Sequence, residues 1–425
     1  MTDFDPNQPQ AFLDALMRAA IAAADPSKAV PPHLPAPPKG RTVVIGAGKA
    51  SAVMAKAVED NWSGPIEGLV VTRYDYGAPC KHIEIVEAAH PVPDRAGRDA
   101  AGRMLEICEG LGPDDLCIAL MSGGASALLT QPANGISFED KQEVNRLLLR
   151  SGATITEMNC VRKHLSAIKG GYLARAIAPA RVVSLLISDV PGDDPGVIGS
   201  GPTVPDATTY AEALGIVEKY AIALPTAIRA HLIQGAVETP KPGDPIFADA
   251  ETRIVARPQA SLESAADVAL RAGVTPVILG DALEGEARVV AAEHARQAMS
   301  LRVAEGVNQL PMVLLSGGEL TVTMKGDGRG GPNAEYMLAM VPALNADPGI
   351  HALAVDTDGI DGSEDNAGAI IGPETLSRAA QLGVDPSKYL ENNDSYHFFK
   401  ALDDLVMTGP TYTNVNDFRA VLVLS

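Results

Sequence analysis

The sequence predicts a two-domain α/β protein, each domain a largely parallel, doubly wound sheet with flanking helices. Three observations carry that expectation. Short runs rich in Val, Ile and Leu recur along the chain, each followed by Gly, Ser or Asp, with helix-patterned stretches between them. This alternation is how parallel strands joined by crossover helices read. The chain has 425 residues, more than a single hydrophobic core usually organises. At residues 238–244 the composition shifts to ETPKPGD, a linker-like stretch, and the alternation then restarts. Domains spanning 1–237 and 238–425, both Rossmann-like, are therefore expected.

Taken in order, Phe12–Ala24 has helical spacing and stops before Asp25-Pro26. This first helix, within about residues 1–30, is free to pack on the second domain. Five prolines between Val30 and Gly40 predict an extended tether. Strands are then expected at Thr42–Ile45, Gly68–Thr72, Leu116–Met121 and Val182–Ile187, with helices at Ala50–Glu59 and Arg95–Glu109. Past the linker come a strand at Thr252–Ala256, a helix at Ser261–Ala272, a strand at Thr275–Leu279 and a helix near Glu286–Glu305. Strands at Met312–Leu315, Leu320–Met324, His351–Val355 and Ala420–Leu424 complete the pattern.

Composition narrows the function. A formal charge of −19 argues against nucleic acid, whose binding rests on neutralising phosphates, but leaves room for a small anion held by local cations. No charged n-region precedes an apolar run at the start, and no apolar run nears the length of a membrane span, so a cytoplasmic protein is expected. Cys80, Cys108, Cys117 and Cys160 have no metal or CxxC spacing and read as free thiols.

The candidate chemistry sits just after the predicted strands. GAGKAS carries Gly46, Gly48 and Ser51 around Lys49 at a strand-to-helix turn, where backbone N–H groups and an ammonium favour an anion; a tight packing turn is the competing reading. It lacks the P-loop pattern, and Ser51 stands where a dinucleotide fingerprint has its third Gly. SGGASALL repeats the arrangement with Ser122, Gly123, Gly124 and Ser126, again as anion site or N-cap. His90 and Asp94 flank two prolines in HPVPD. In NCVRKHLSAIKGG, helical spacing puts Arg162, Leu165 and Lys169 on one side, beside Lys163 and His164; a solvated basic face competes with anion binding.

The longest such loop, SDVPGDDPGVIGSGPT from Ser188 to Thr203, holds three aspartates, Asp189, Asp193 and Asp194. Loops at the carboxyl ends of parallel strands are where α/β proteins keep their chemistry. In the second half, SGGE offers Gly317, Gly318 and Glu319, and KGDGRGGPNAE surrounds Arg329 with glycines ahead of Asn333. Asp356, Asp358 and Asp361 after a buried strand suit Mg²⁺, although Asx turns use the same residues. TGPTYTNVND, with Asn416, is dense in hydroxyls and amides.

Together HPVPD, SGGASALL, VRKHLSAIKGG, SDVPGDDPGVIGSGPT and TNVND resemble the bacterial glycerate 2-kinases of the MOFRL family, often labelled hydroxypyruvate reductases of tartrate-degradation gene clusters. The resemblance runs in order from GAGKAS to TNVND. It implies transfer of the ATP γ-phosphoryl group to D-glycerate, giving 2-phosphoglycerate with Mg²⁺, in a cleft between two α/β domains. By motif, Lys49 is the implied active-site lysine and Asp189 opens the acidic loop. Family members read GGRNQE where this chain has Gly330-Gly331-Pro332-Asn333-Ala334-Glu335, so their Arg falls on Pro332 and Arg329 is the candidate replacement.

A kinase needs anion-friendly loops and acidic loops together, which this chain has. The rivals are an NAD(P)H-dependent hydroxypyruvate reductase, resting on GAGKAS, and a non-catalytic binder of phosphorylated metabolites. Small-molecule substrates are expected, with no nucleic acid or membrane partner; assembly as a homodimer is left open.

Overall fold

The computed structural model describes residue 5, residues 7–303 and residues 310–425. Contacts divide the chain into two units. One is Pro26–Val255; the other joins the segment before Pro26 to Ala256–Ser425.

In the Pro26–Val255 unit, β1 (Thr42–Ala47), β2 (Glu67–Arg73), β3 (Ile83–Ala88), β4 (Leu116–Met121), β5 (Arg181–Ile187) and β6 (Ala250–Ala256) form one sheet, in the order β3-β2-β1-β4-β5-β6. The β1–β2, β2–β3, β1–β4 and β4–β5 ladders are all parallel. Every residue of β1 and β4 is buried, as expected of central strands covered on both faces. On one face, Val43, Ile45 and Ala47 alternate into a core with Cys117, Ala119 and Met121.

Two expectations need correction here. Thr252–Ala256 does not open the second sheet; as β6 it closes the first. The helical spacing expected to carry Arg162, Leu165 and Lys169 is not continuous: the helix runs only over Ile155–His164, started by a capping box between Thr154 and Glu157. It breaks where Ser166 Oγ accepts the N–H groups of Ile168 and Lys169, a side-chain turn that competes with the helical ladder. With helices Phe138–Arg150, Tyr210–Lys219 and Thr226–Gln234, this helix builds a satellite core around Val144, Leu148, Val161 and Leu165.

In the other unit, β7 (Thr275–Gly280), β9 (Met312–Ser316), β11 (Ile350–Asp356), β12 (Gly368–Ile371), β13 (Leu405–Val406) and β14 (Asp417–Val423) form a sheet ordered β13-β12-β11-β14-β9-β7. A two-residue pair, β8 (Gly285–Glu286) with β10 (Leu320–Thr321), stands apart, and the strand expected to Met324 ends at Thr321. The α/β class holds, but the largely parallel order expected here does not. Only β7–β9 is parallel; β9–β14, β14–β11, β11–β12 and β12–β13 are antiparallel. No helix lies between β11 and β12, and so short a return allows antiparallel pairing alone.

Helix Pro9–Ala23 turns the stripe Phe12, Leu13, Leu16, Met17 and Ala20 into the core of this same unit, against Leu262, Ala265 and Ala269 of helix Pro258–Arg271. Among the described residues no helix is long and apolar enough to cross a membrane.

Candidate active site

The two Gly-rich turns of the parallel sheet are bonded to each other, and one of them is used up by that bond. Gly48 N–H donates to Val71 O, Lys49 N–H to Gly123 O, Ala50 N–H to Ser122 Oγ and Ser51 N–H to Gly48 O. Ser51 Oγ donates to Gly48 O and Val71 O. A Cβ on Gly48, whose φ is +137°, would lie 2.1 Å from Ser122 Oγ. The backbone of GAGKAS is thus a packing turn between β1 and β4, and Gly46, Gly48 and Ser51 serve that approach. Only the Lys49 side chain leaves it.

SGGAS is different. Among the described residues the N–H groups of Gly123 and Gly124 have no intramolecular acceptor. Gly124 has φ +81°, and a Cβ there would meet His90 Nε2 at 2.9 Å and Lys49 Cγ at 3.4 Å. Lys49, His90 and the two glycines therefore meet at one place.

A cavity of about 220 Å³ opens beside them. His90, Gly124, Ser126, Arg162 and Lys169 line it, all singled out from sequence. Lys141, Gln142, Asn145 and Thr130 also line it, and these were missed. Val144, Leu148 and Leu165 supply an apolar wall. Arg162, Leu165 and Lys169 do face one space, although Lys169 arrives through the Ser166 turn and not on the helix. The neighbouring cations of that motif point elsewhere: Lys163 pairs with buried Asp206 at 3.3 Å, and His164 Nδ1 lies 2.8 Å from Cys160 O.

Among the described residues no Asp or Glu lines the cavity. Its cations rest on neutral oxygens: Lys141 Nζ donates to Gln131 O at 3.0 Å, Lys169 Nζ to Ser126 O at 2.7 Å and Arg162 Nε to Asn145 Oδ1 at 2.7 Å. Lys169 is 2% exposed. Burial, then the nearby charges of Lys141, Arg162 and Lys163, holds its ammonium well below the usual lysine range. Burial brings Lys141 down to about 7 and lowers Arg162 as well.

The acidic loop after β5 reaches this cavity through Ser200, whose Oγ lies 2.6 Å from Ser126 Oγ. Gly170 and Gly171 N–H donate to Ser200 O and Gly201 O. Asp189 is half-buried directly after β5, Asp193 lies in a short 3-10 turn, and neither lines the cavity.

The remaining candidates belong to the other unit. Arg329 pairs with Glu364 at 3.1 Å, on a loop pinned by Asn392, Asn393 and Asp394. Arg419 Nη1 and Nη2 donate to the carbonyls of Gly317 and Gly318, and Glu319 is exposed. The carbonyl of Asn416 accepts from Thr357 N–H and Oγ1.

The expected metal set Asp356, Asp358 and Asp361 is not assembled: among the described residues no three His, Cys, Asp or Glu side chains form a metal-holding group. Asp356 and Asp358 accept N–H groups two residues on, as Asx turns do. Asp361 accepts Asn333 N–H at 3.0 Å and Ala334 N–H at 2.8 Å, capping helix Pro332–Leu344 from a distance. Burial pushes its carboxyl up to about 7, against the pull of those N–H groups. Asn333 Nδ2 donates to Asp417 Oδ1 at 2.7 Å, continuing the same buried network.

The model of a family described as "Domain of unknown function (DUF4147)" matches residues 12–233, and that of the MOFRL family matches 312–417. The D-glycerate 2-kinase of Thermotoga maritima is 37% identical over 423 residues, covering 99% of this chain and 100% of its own. The chain belongs to the MOFRL family of glycerate 2-kinases. A crystal structure of Thermotoga maritima glycerate kinase matches with a TM-score of 0.90 at 36% identity, covering 98% of this chain and 100% of that one. A family relative in Agrobacterium vitis, named "Putative hydroxypyruvate reductase", is 54% identical over 414 residues, or 97% of this chain and 94% of its own.

In this glycerate 2-kinase family member, one signal would have exposed Lys141. Along helix Phe138–Arg150, Lys141, Val144, Asn145 and Leu148 have the spacing of one buried face, so a lysine and an amide interrupt an apolar stripe.

Proposed function

We propose that the protein phosphorylates D-glycerate to 2-phosphoglycerate with ATP, and that the cavity beside Gly124 receives the acid. The observation that carries this reading is a small cavity whose three basic side chains have, among the described residues, no carboxylate partner. Pockets for drug-sized ligands run to roughly 300–1,000 Å³, so a cavity of about 220 Å³ suits a three-carbon acid better than a nucleotide. Arg162 offers a planar fork matched to a carboxylate, while Lys141 and Lys169 offer point charges.

Lys49, beside Gly124, supplies positive charge where the transferring phosphoryl group gains negative charge. Asp189, two residues past the end of β5, is the proposed acceptor of the substrate hydroxyl proton, with Asp193 and Arg329 as further candidates for nucleotide contacts. The expected three-aspartate metal set does not fit, so no step here runs through it. A Mg²⁺ that enters with a triphosphate needs only one or two protein carboxylates.

The reductase reading is weakened by the same turn that suggested it. A dinucleotide's pyrophosphate needs free N–H groups at the glycine turn, and GAGKAS spends its own on β2 and on the SGGAS turn. Purified protein incubated with D-glycerate, ATP and Mg²⁺ should form 2-phosphoglycerate, and with hydroxypyruvate and NADH should leave the NADH absorbance unchanged. Oxidation of NADH without phosphorylation would reverse the assignment.

A further inference from the structure

The cavity gathers more basic side chains than its proposed substrate has charges to meet them. Lys141, Arg162 and Lys169 come from two separate segments, helix Phe138–Arg150 and the stretch from Arg162 to Lys169, and converge on about 220 Å³. D-Glycerate brings one carboxylate. Lys141 and Lys169 each commit a single N–H to a protein oxygen, so their other ammonium hydrogens have no protein acceptor. Holding like charges together out of water costs the folded state, and a cost of that kind is offset when an anion of matching charge binds.

The phosphorylated acid has the missing charge. It keeps the carboxylate and adds a phosphoryl group of nearly two further negative charges at pH 7. We propose that this cavity is a receptor for a compact polyanion, one that holds the phosphorylated acid more tightly than the free acid, and that Lys141 supplies the difference. The inference rests on the reading of the cavity as the acid site. Arg162 suits the carboxylate common to both ligands, and Lys169 is anchored on Ser126 O against the SGGAS turn. Lys141 approaches from the helix opposite and meets the added phosphoryl oxygens. Release of the phosphorylated acid is then slow relative to release of the substrate.

Calorimetric titration of the full chain with D-glycerate and with 2-phosphoglycerate, without nucleotide, tests this. The expected result is at least tenfold tighter binding of 2-phosphoglycerate, about 1.4 kcal/mol. The ratio should shrink as salt is raised and fall below about threefold in Lys141→Gln. Equal affinities in the unmodified protein overturn the proposal whether or not the variant folds. A preference that survives Lys141→Gln in folded protein also overturns it, since Lys141 would then not supply the difference. The kinase reading fails separately: phosphorylation with equal affinities sinks only the polyanion receptor, whereas a tenfold preference without phosphorylation sinks only the kinase.

Discussion

Replacing Lys141 with methionine is expected to raise the stability of the protein while weakening its hold on anions. Burial takes the Lys141 ammonium from its ordinary 10.5 to about 7. Below pH 7 the group is charged in both the folded and unfolded chain, and the folded state bears the whole burial cost. Between pH 7 and 10.5 the unfolded chain binds more protons, so stability rises with pH, and above 10.5 the cost is gone. At about 1.36 kcal/mol per pH unit the ceiling is roughly 5 kcal/mol. Lys141 is only half-buried, however, and solvent screening cuts this to ~1–3 kcal/mol. Methionine keeps the length of the side chain but forfeits the hydrogen bond to Gln131 O, a loss of about 1 kcal/mol. The net gain at pH 6 is then ~0–2 kcal/mol, fading to nothing or a small loss at pH 10. Urea midpoints at the two pH values measure it. A variant less stable than its parent at pH 6, or a difference independent of pH, would refute the reasoning. In the parent, anion affinity should be full below about pH 7 and fall above it, as Lys141 loses its proton facing Arg162, Lys169 and His90.

Three further outcomes follow from the same contacts. Lys49→Ala should lower kcat by about 10²–10³ with little change in KM, the loss of one preorganised charge contact; steady-state kinetics with near-normal kcat would remove Lys49 from the phosphoryl group. Gly48→Ala should cost ~2–4 kcal/mol, because a Cβ at φ +137° would lie 2.1 Å from Ser122 Oγ and force the β1 and β4 turns apart; an unchanged Tm would contradict that packing. Asp189→Asn should keep D-glycerate affinity by calorimetry and lose most turnover, and rescue by added Mg²⁺ would make Asp189 a metal ligand in place of a base.

The parallel sheet of the Pro26–Val255 unit was legible because its central strands are buried on both faces, so Val43–Ile45 and Leu116–Met121 read as unbroken apolar runs. Ile83–Ala88 was not read as a strand: it lies on the edge of the sheet, and its half-exposed residues dilute the pattern. Apolar periodicity also carries no direction and names no neighbour. The antiparallel ladders of the second sheet and the place of Ala250–Ala256 at the edge of the first came only from tertiary pairing.

The site divides the same way. His90, Gly124, Ser126, Arg162 and Lys169 announced themselves through turn glycines, hydroxyls and cations set close together in the chain. The sequence by itself pointed to an anion site near these motifs, beside structural readings of the same turns. Tertiary structure decided which groups remain to bind it. GAGKAS has spent its N–H groups on neighbours from β2 and β4, and Asp361 has spent its carboxylate on a helix start nearly thirty residues away. Among the described residues the Lys141 ammonium rests on the carbonyl of Gln131, and no acidic side chain lines the cavity beside it. A donor or a charge is available only after every contact from distant parts of the chain has been made, and a local reading of residues cannot see those contacts.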